Sequence, residues 1–168
     1  TGVSDARWRR AKVVRAPLGK PEAQKSPPDR VLATLKPVSI KPLGKGEYEV
    51  DFGKEIAGWV RIHVRGRRGE RVELDFQRAK NIYVLKGAGL ETYEPRFTWF
   101  GFQRMIVRRW PGRLTKDSLE ARVVNTAVSP AGEFSCSNRL FEQIHDIVVR
   151  SQLGNMHGSV PSDCPHRE

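Results

Sequence analysis

From about residue 28 to residue 134 the side chains alternate in character with a period of two, and that alternation decides the fold class. Tyr48, Val50 and Phe52 are interleaved with Glu47, Glu49 and Asp51; Val60, Ile62 and Val64 with Arg61, His63 and Arg65; Val72, Leu74 and Phe76 with Glu73 and Asp75. In a pleated strand successive side chains point to opposite faces, so each run predicts a strand with one buried and one wetted face. Gly44 to Gly46, Gly53 to Gly58, Gly66 to Gly69, Gly87 to Gly89 and Pro111-Gly112 supply residues that form turns between such strands. No helical period intervenes, which excludes alternating βαβ units. The expectation is a mainly β chain built as an antiparallel β-sandwich or jelly roll.

The period changes once, after Gly132. Leu140, Ile144, Ile147, Val148 and Ser151 fall at helical spacing, with Ser137 or Asn138 as the N-cap and an end between about Gln152 and His157. One amphipathic helix must lay its apolar stripe on something, so this helix reads as the start of a second, helical domain. The expected division is residues 1–27 as the end of a preceding β domain or linker, 28–131 as the sandwich, and 132–168 as the first helix and a following loop. Thr1 in place of Met, and a terminal Pro161-Ser162-Asp163-Cys164-Pro165-His166-Arg167-Glu168 turn, suggest a segment of a longer protein.

A chain of 168 residues is long enough to bury a conventional core, and it holds no apolar run of membrane-spanning length. Its net charge is +11, which raises a polyanion partner. The basic residues are spread along the strands and alternate with apolar ones, as solvated positions do, and no nucleic-acid motif accompanies them. Cys136 and Cys164 have no zinc-type spacing and are expected to be reduced, partly buried thiols; His63 and His145 are expected to be ordinary strand and helix residues. No secretory signal pattern is present, and location is left undetermined.

Four stretches together resemble one family. Val50-Asp51-Phe52-Gly53-Lys54-Glu55-Ile56-Ala57-Gly58-Trp59-Val60, Glu94 to Gln103, Gly132 to Asn138, and Ser151-Gln152-Leu153-Gly154-Asn155-Met156 with the Pro161 to Glu168 turn are similar, in order and spacing, to motifs of bacterial α-L-rhamnosidases of glycoside hydrolase family 78. The resemblance implies a concanavalin-like β-sandwich, followed by one amphipathic helix that begins an (α/α)6 barrel. It implies hydrolysis of terminal α-L-rhamnosides with inversion; no cofactor and no metal site is expected. Glu168 matches the family's general acid and Asp163 the aspartate that binds the rhamnose hydroxyls; Arg167 and Asn155 match motif positions in the substrate site. Phe100, Ser162 and His166 depart from the commoner His, Thr and Gln.

Inverting hydrolysis pairs a protonated carboxyl with an ionised one about 6.5–9.5 Å away. Glu168 supplies the first; the resemblance places the second on a glutamate further along the barrel. The remainder of that barrel is therefore an implied partner, beside a rhamnose-containing glycoside, and the chain alone is expected to be inactive and poorly soluble. Two rivals remain: a non-catalytic carbohydrate-binding β-module, for which Trp59, Trp99 and Trp110 would form the sugar platform, and a basic nucleic-acid-binding β-domain.

Overall fold

A computed structural model describes residues 9–77, 79–158 and 160–161. Asp163, Cys164, Arg167 and Glu168 lie outside the described residues. Eight strands follow in chain order: β1 (Asp29–Leu35), β2 (Ser39–Gly44), β3 (Glu47–Arg65), β4 (Arg71–Asp75), β5 (Lys80–Val84), β6 (Leu90–Tyr93), β7 (Phe100–Arg108) and β8 (Leu119–Thr126). One helix, α1 (Arg139–Gly154), and a minimal hairpin of β9 (Met156–His157) and β10 (Val160–Pro161) complete the described chain.

Every pairing is antiparallel, and the main path runs β1-β8-β3-β7-β4-β5, with β2 and β6 also paired to β3. The sandwich is thus one curled sheet rather than two separate ones, because β3 belongs to both layers. Its first half pairs with β2 and with Arg104–Val107 of β7; after the corner Ile56–Gly58 pairs with Phe100–Phe102 of β7, and the rest pairs with β8 and β6. Between them the register with β7 jumps from Asp51 to Ile56. Such a bulge bends a strand out of one layer into the next.

That bulge corrects one expectation. The Gly53 to Gly58 segment does not separate two strands; it is the corner inside β3, and Trp59 sits within that strand. Gly53 has φ +81° and its N–H donates to the Asp51 carboxylate at 2.7 Å, which closes the bulge locally. Gly58 serves a different end: a Cβ there would lie 1.9 Å from the Arg122 carbonyl oxygen of β8. The glycines that suggested a turn permit a bend and a close strand contact instead.

Both layers feed a single core. Val50, Phe52, Val72, Leu74, Phe76, Met105 and Val107 come from one side and Ile56, Val60, Ile62, Val64, Leu119 and Ala121 from the other, all buried in one cluster. Among them Val50, Phe52, Val60, Ile62, Val64, Val72, Leu74 and Phe76 are the alternate positions that the period-two reading assigned inward. Phe100 stacks on Phe76 with ring centroids 4.5 Å apart, so its departure from the commoner His places an apolar ring against the core.

Asn138 caps α1, its Oδ1 accepting from the Leu140 N–H at 3.0 Å, and Glu142 in the first turn reaches back to the Cys136 N–H at 3.1 Å. The helix has no buried residue: Leu140, Phe141, Ile144, Ile147 and Val148 are all more than 45% exposed. Cys136 is exposed, not partly buried as expected, because it precedes the helix in a stretch whose residues are all exposed.

Candidate functional site at the end of the helix

Of the four residues assigned to the site from sequence, Asn155 is the one within the described chain. It is the C-cap of α1, with φ −103° and its N–H directed to the Ser151 and Gln152 carbonyls, each at 3.2 Å. A cap position holds a side chain at a fixed point where the chain leaves the helix. Asn155 also lines a cavity of about 540 Å³ between the last turns of α1 and the sheet, with Leu32, Ala33, Ile56, Val123 and Ile147 among its walls.

Beyond the cap the chain turns at Gly158, whose φ of +70° favours glycine, and returns as β10. The β-domain holds that turn. Asp29, the first residue of β1, accepts the Gly158 N–H at 3.0 Å and the Thr126 hydroxyl at 2.8 Å. His157 has a side chain only 3% exposed, stacks on Trp99 at a centroid distance of 4.2 Å, and directs Nε2 to the Gly154 carbonyl at 3.2 Å. Since that carbonyl can only accept, Nε2 carries the proton.

Three carboxylates elsewhere in the sheet, Asp51, Glu91 and Glu94, are held below their ordinary values. Glu94 and Glu120 flank Arg61 at 3.0 and 3.2 Å, and Trp59 donates to Glu94 at 2.9 Å. Burial pulls the Glu94 carboxyl upward, but the hydrogen bonds from Arg61 and Trp59, with the Arg61 and Arg122 charges, outweigh it and hold the group below its ordinary value. Asp51 is likewise lowered, by the Gly53 N–H, Arg104 and Gln103. Glu91, taking the Tyr83 hydroxyl at 2.6 Å and the N–H groups of Lys86, Gly87 and Ala88, is lowered to about 2. A general acid needs the opposite shift. These carboxylates tie the sheet together and are unsuited to donate a proton at neutral pH.

The aromatic platform of the carbohydrate-binding rival is not assembled either. Trp110 is buried in the core, Trp59 is engaged by Glu94, and Trp99 is covered on one face by His157. Part of the basic charge is paired: Arg61, Arg104, Arg108, Arg109 and Arg122 each contact a carboxylate. His63 meets Thr92 across the sheet, and His145 packs on Phe134, both as ordinary structural residues. Among the described residues no group of three or more His, Cys, Asp or Glu is arranged to hold a metal, and no helix is long and apolar enough to cross a membrane.

Comparison with known proteins decides the family. Residues 41–79 and 74–125 match the bacterial alpha-L-rhamnosidase concanavalin-like domain, and residues 129–168 match the bacterial alpha-L-rhamnosidase 6 hairpin glycosidase domain. The chain belongs to the bacterial α-L-rhamnosidase family. An alpha-L-rhamnosidase of Formosa agariphila is 30% identical across 100% of the chain and 20% of its own length. The structure of alpha-L-rhamnosidase from Dictyoglumus thermophilum superposes with a TM-score of 0.80 at 35% identity, covering 85% of this chain and 18% of that one. A Streptomyces avermitilis alpha-L-rhamnosidase, solved in complex with L-rhamnose, gives a TM-score of 0.78 at 31% identity, covering 85% of this chain and 16% of that one. The chain therefore spans about a fifth of the rhamnosidases it matches. The expected concanavalin-like sandwich and single helix are what the fold contains.

Within this rhamnosidase framework, sequence reasoning missed the anchoring set of Asp29, Thr126, Trp99 and His157. Asp29 and Gly158 are 129 positions apart, and neither carries a local motif. The contact is a product of the β1–β8 ladder, where Asp29 pairs with Thr126.

Proposed function

We propose that this chain is part of an inverting glycoside hydrolase that removes terminal α-L-rhamnose from rhamnosides. In this reading residues 28–131 form an accessory sandwich, residues 132–168 begin an (α/α)6 catalytic domain, and residues 1–27 connect to what precedes. Glu168 is the general acid that protonates the leaving oxygen, and Asp163 binds the sugar hydroxyls. Arg167 and Asn155 complete the sugar side of the site. The base that activates water is a glutamate of the remaining hairpin domain, so the isolated chain does not turn over.

The observation that supports this most is the order of the two family matches: the sandwich match ends at residue 125 and the glycosidase match runs from 129 through Glu168. The lowered carboxylates of the sheet add to it, since none with a resolved shift is prepared to act as an acid. A carboxyl with raised pKa is then to be sought on the catalytic side of the junction.

The test uses the protein that carries this chain together with a complete hairpin domain. It is expected to hydrolyse an alkyl α-L-rhamnoside, with β-rhamnose as the first anomer detected by NMR. Glu168→Gln should lower kcat by roughly 10²–10⁴-fold, the range lost with a general acid. Retained configuration, or a fully active Glu168→Gln, would sink the assignment.

A further inference from the structure

The short hairpin after α1 is too small to fix its own position. β9 and β10 have two residues each, and an isolated two-stranded hairpin is marginal in water even when longer. Its placement must come from what it touches.

Three contacts from the β-domain converge on it. Asp29 Oδ1 and Oδ2 lie 3.0 and 3.2 Å from the Gly158 nitrogen. The Thr126 hydroxyl, fully buried, lies 2.8 Å from Asp29 Oδ1 and 3.2 Å from the Met156 carbonyl, so its one proton bridges the carboxylate and the hairpin backbone. Trp99, preceding β7, stacks on His157. The Asp29 carboxylate is also 3.8 Å from His157 Nδ1, with its side chain 31% exposed. Asp29 thus meets the hairpin at its turn and, through Thr126, at its first strand. A carboxylate that accepts a backbone N–H fixes the direction of that N–H as well as its distance.

We propose that Asp29 is a positioning residue of the β-domain: it holds the Gly158 turn, from which the chain continues to Asp163 and Glu168. The proposal rests on the rhamnosidase reading for its catalytic consequence, though not for the anchor itself. Only four residues separate Gly158 from Asp163 and nine separate it from Glu168. Both follow that turn in sequence, and a misplacement of about 1 Å in a reacting group can cost on the order of 10²-fold in rate. This also gives the sandwich a function in catalysis without a substrate contact.

The experiment compares Asp29→Ala and Asp29→Asn in the protein that carries a complete hairpin domain, with Arg104→Ala, which breaks the Asp51 ion pair on β7, as a control for general destabilisation. Hydrogen exchange of the peptide spanning 156–161 and steady-state rhamnoside hydrolysis are measured on each. Asp29→Ala is expected to speed exchange at Gly158 and lower kcat, each by roughly tenfold or more, and to raise KM through the sugar-binding Asp163. Asp29→Asn keeps an oxygen acceptor and should restore most of kcat; Arg104→Ala should change neither readout. Unchanged exchange in Asp29→Ala would overturn the anchor, and faster exchange with unchanged kcat would overturn the positioning. A protein inactive on every rhamnoside before mutation would defeat the functional reading instead, while exchange at Gly158 would still decide the anchor.

Discussion

Glu91 shows how one side chain can close a loop. Both its oxygens are used, one by Tyr83 and Lys86 and the other by Gly87 and Ala88, so a single carboxylate gathers three consecutive backbone donors and a hydroxyl. The Tyr83 hydrogen bond is the largest cause of its shift to about 2, and reciprocally pushes Tyr83 up to about 12. The sign of the pH dependence follows. The folded value lies below the ordinary 4.5, so the contribution is complete above 4.5 and is lost as pH falls through the folded value, because the unfolded chain takes the proton first. Thermal midpoints of this chain should therefore drop between pH 4.5 and about 2, and Glu91→Gln should flatten part of that drop while lowering the neutral-pH midpoint by several degrees. The Gln amide would face N–H donors, leaving donors unpaired. Ultraviolet titration supplies a second check: Tyr83 should ionise nearer its ordinary 10 in the variant. Unaltered midpoints and an unaltered titration would show that Glu91 does not hold the loop. Nothing in sequence distinguishes this glutamate from its neighbours, since the three N–H groups converge only through the positive φ of Gly87 and Gly89.

At the scale of the element, β3 carries the fold. It spans 19 residues, far longer than an ordinary strand, because it supplies the seam between layers. Alternation was legible on either side of its corner: Val50 and Phe52 before, Val60, Ile62 and Val64 after, are all buried. The corner itself was not legible. Glycine marks turns, bulges and close approaches alike, and what separates these uses is a neighbour remote in sequence, here the Arg122 carbonyl of β8. The N-cap, expected at Ser137 or Asn138 and found at Asn138, and the helix end, expected between Gln152 and His157 and capped at Asn155, were within reach because caps are local chemistry. The Asp29 contact to Gly158 was not, because it requires the β1–β8 register first. Gly58→Ala tests the seam directly. A methyl group 1.9 Å from a carbonyl oxygen cannot be accommodated while β3 and β8 stay paired, so the variant should lose about 3 kcal/mol. Gly132→Ala, with open space around its Cβ position, should change little in the same urea titration. Equal stability of the two variants would mean that the β3–β8 approach is looser than described.

At the scale of the whole molecule, the two parts of the chain are unequally finished. The sheet closes over one continuous core and turns charge outward into ion pairs. The helix is capped and amphipathic but buries none of its residues. Leu140, Ile144, Ile147 and Val148 lie on successive turns and are 58%, 47%, 55% and 60% exposed. An apolar stripe of this kind is stable in water only when something covers it, and fully burying each such side chain contributes about 1.5–3 kcal/mol. In the isolated chain the available cover is another copy. The chain should therefore self-associate despite its net charge of +11, since charge repulsion is long-ranged and screened whereas stripe contact is short-ranged. Sedimentation should show dimers or larger species that grow with salt. Replacing Leu140, Ile144 and Val148 together by Gln, a good helix former, should yield a monomer with its β-sheet signal intact. The salt direction separates causes: association through charge would weaken as salt rises, whereas association through the stripe strengthens. A wild-type chain that stays monomeric at high salt would mean that the stripe finds cover within its own molecule.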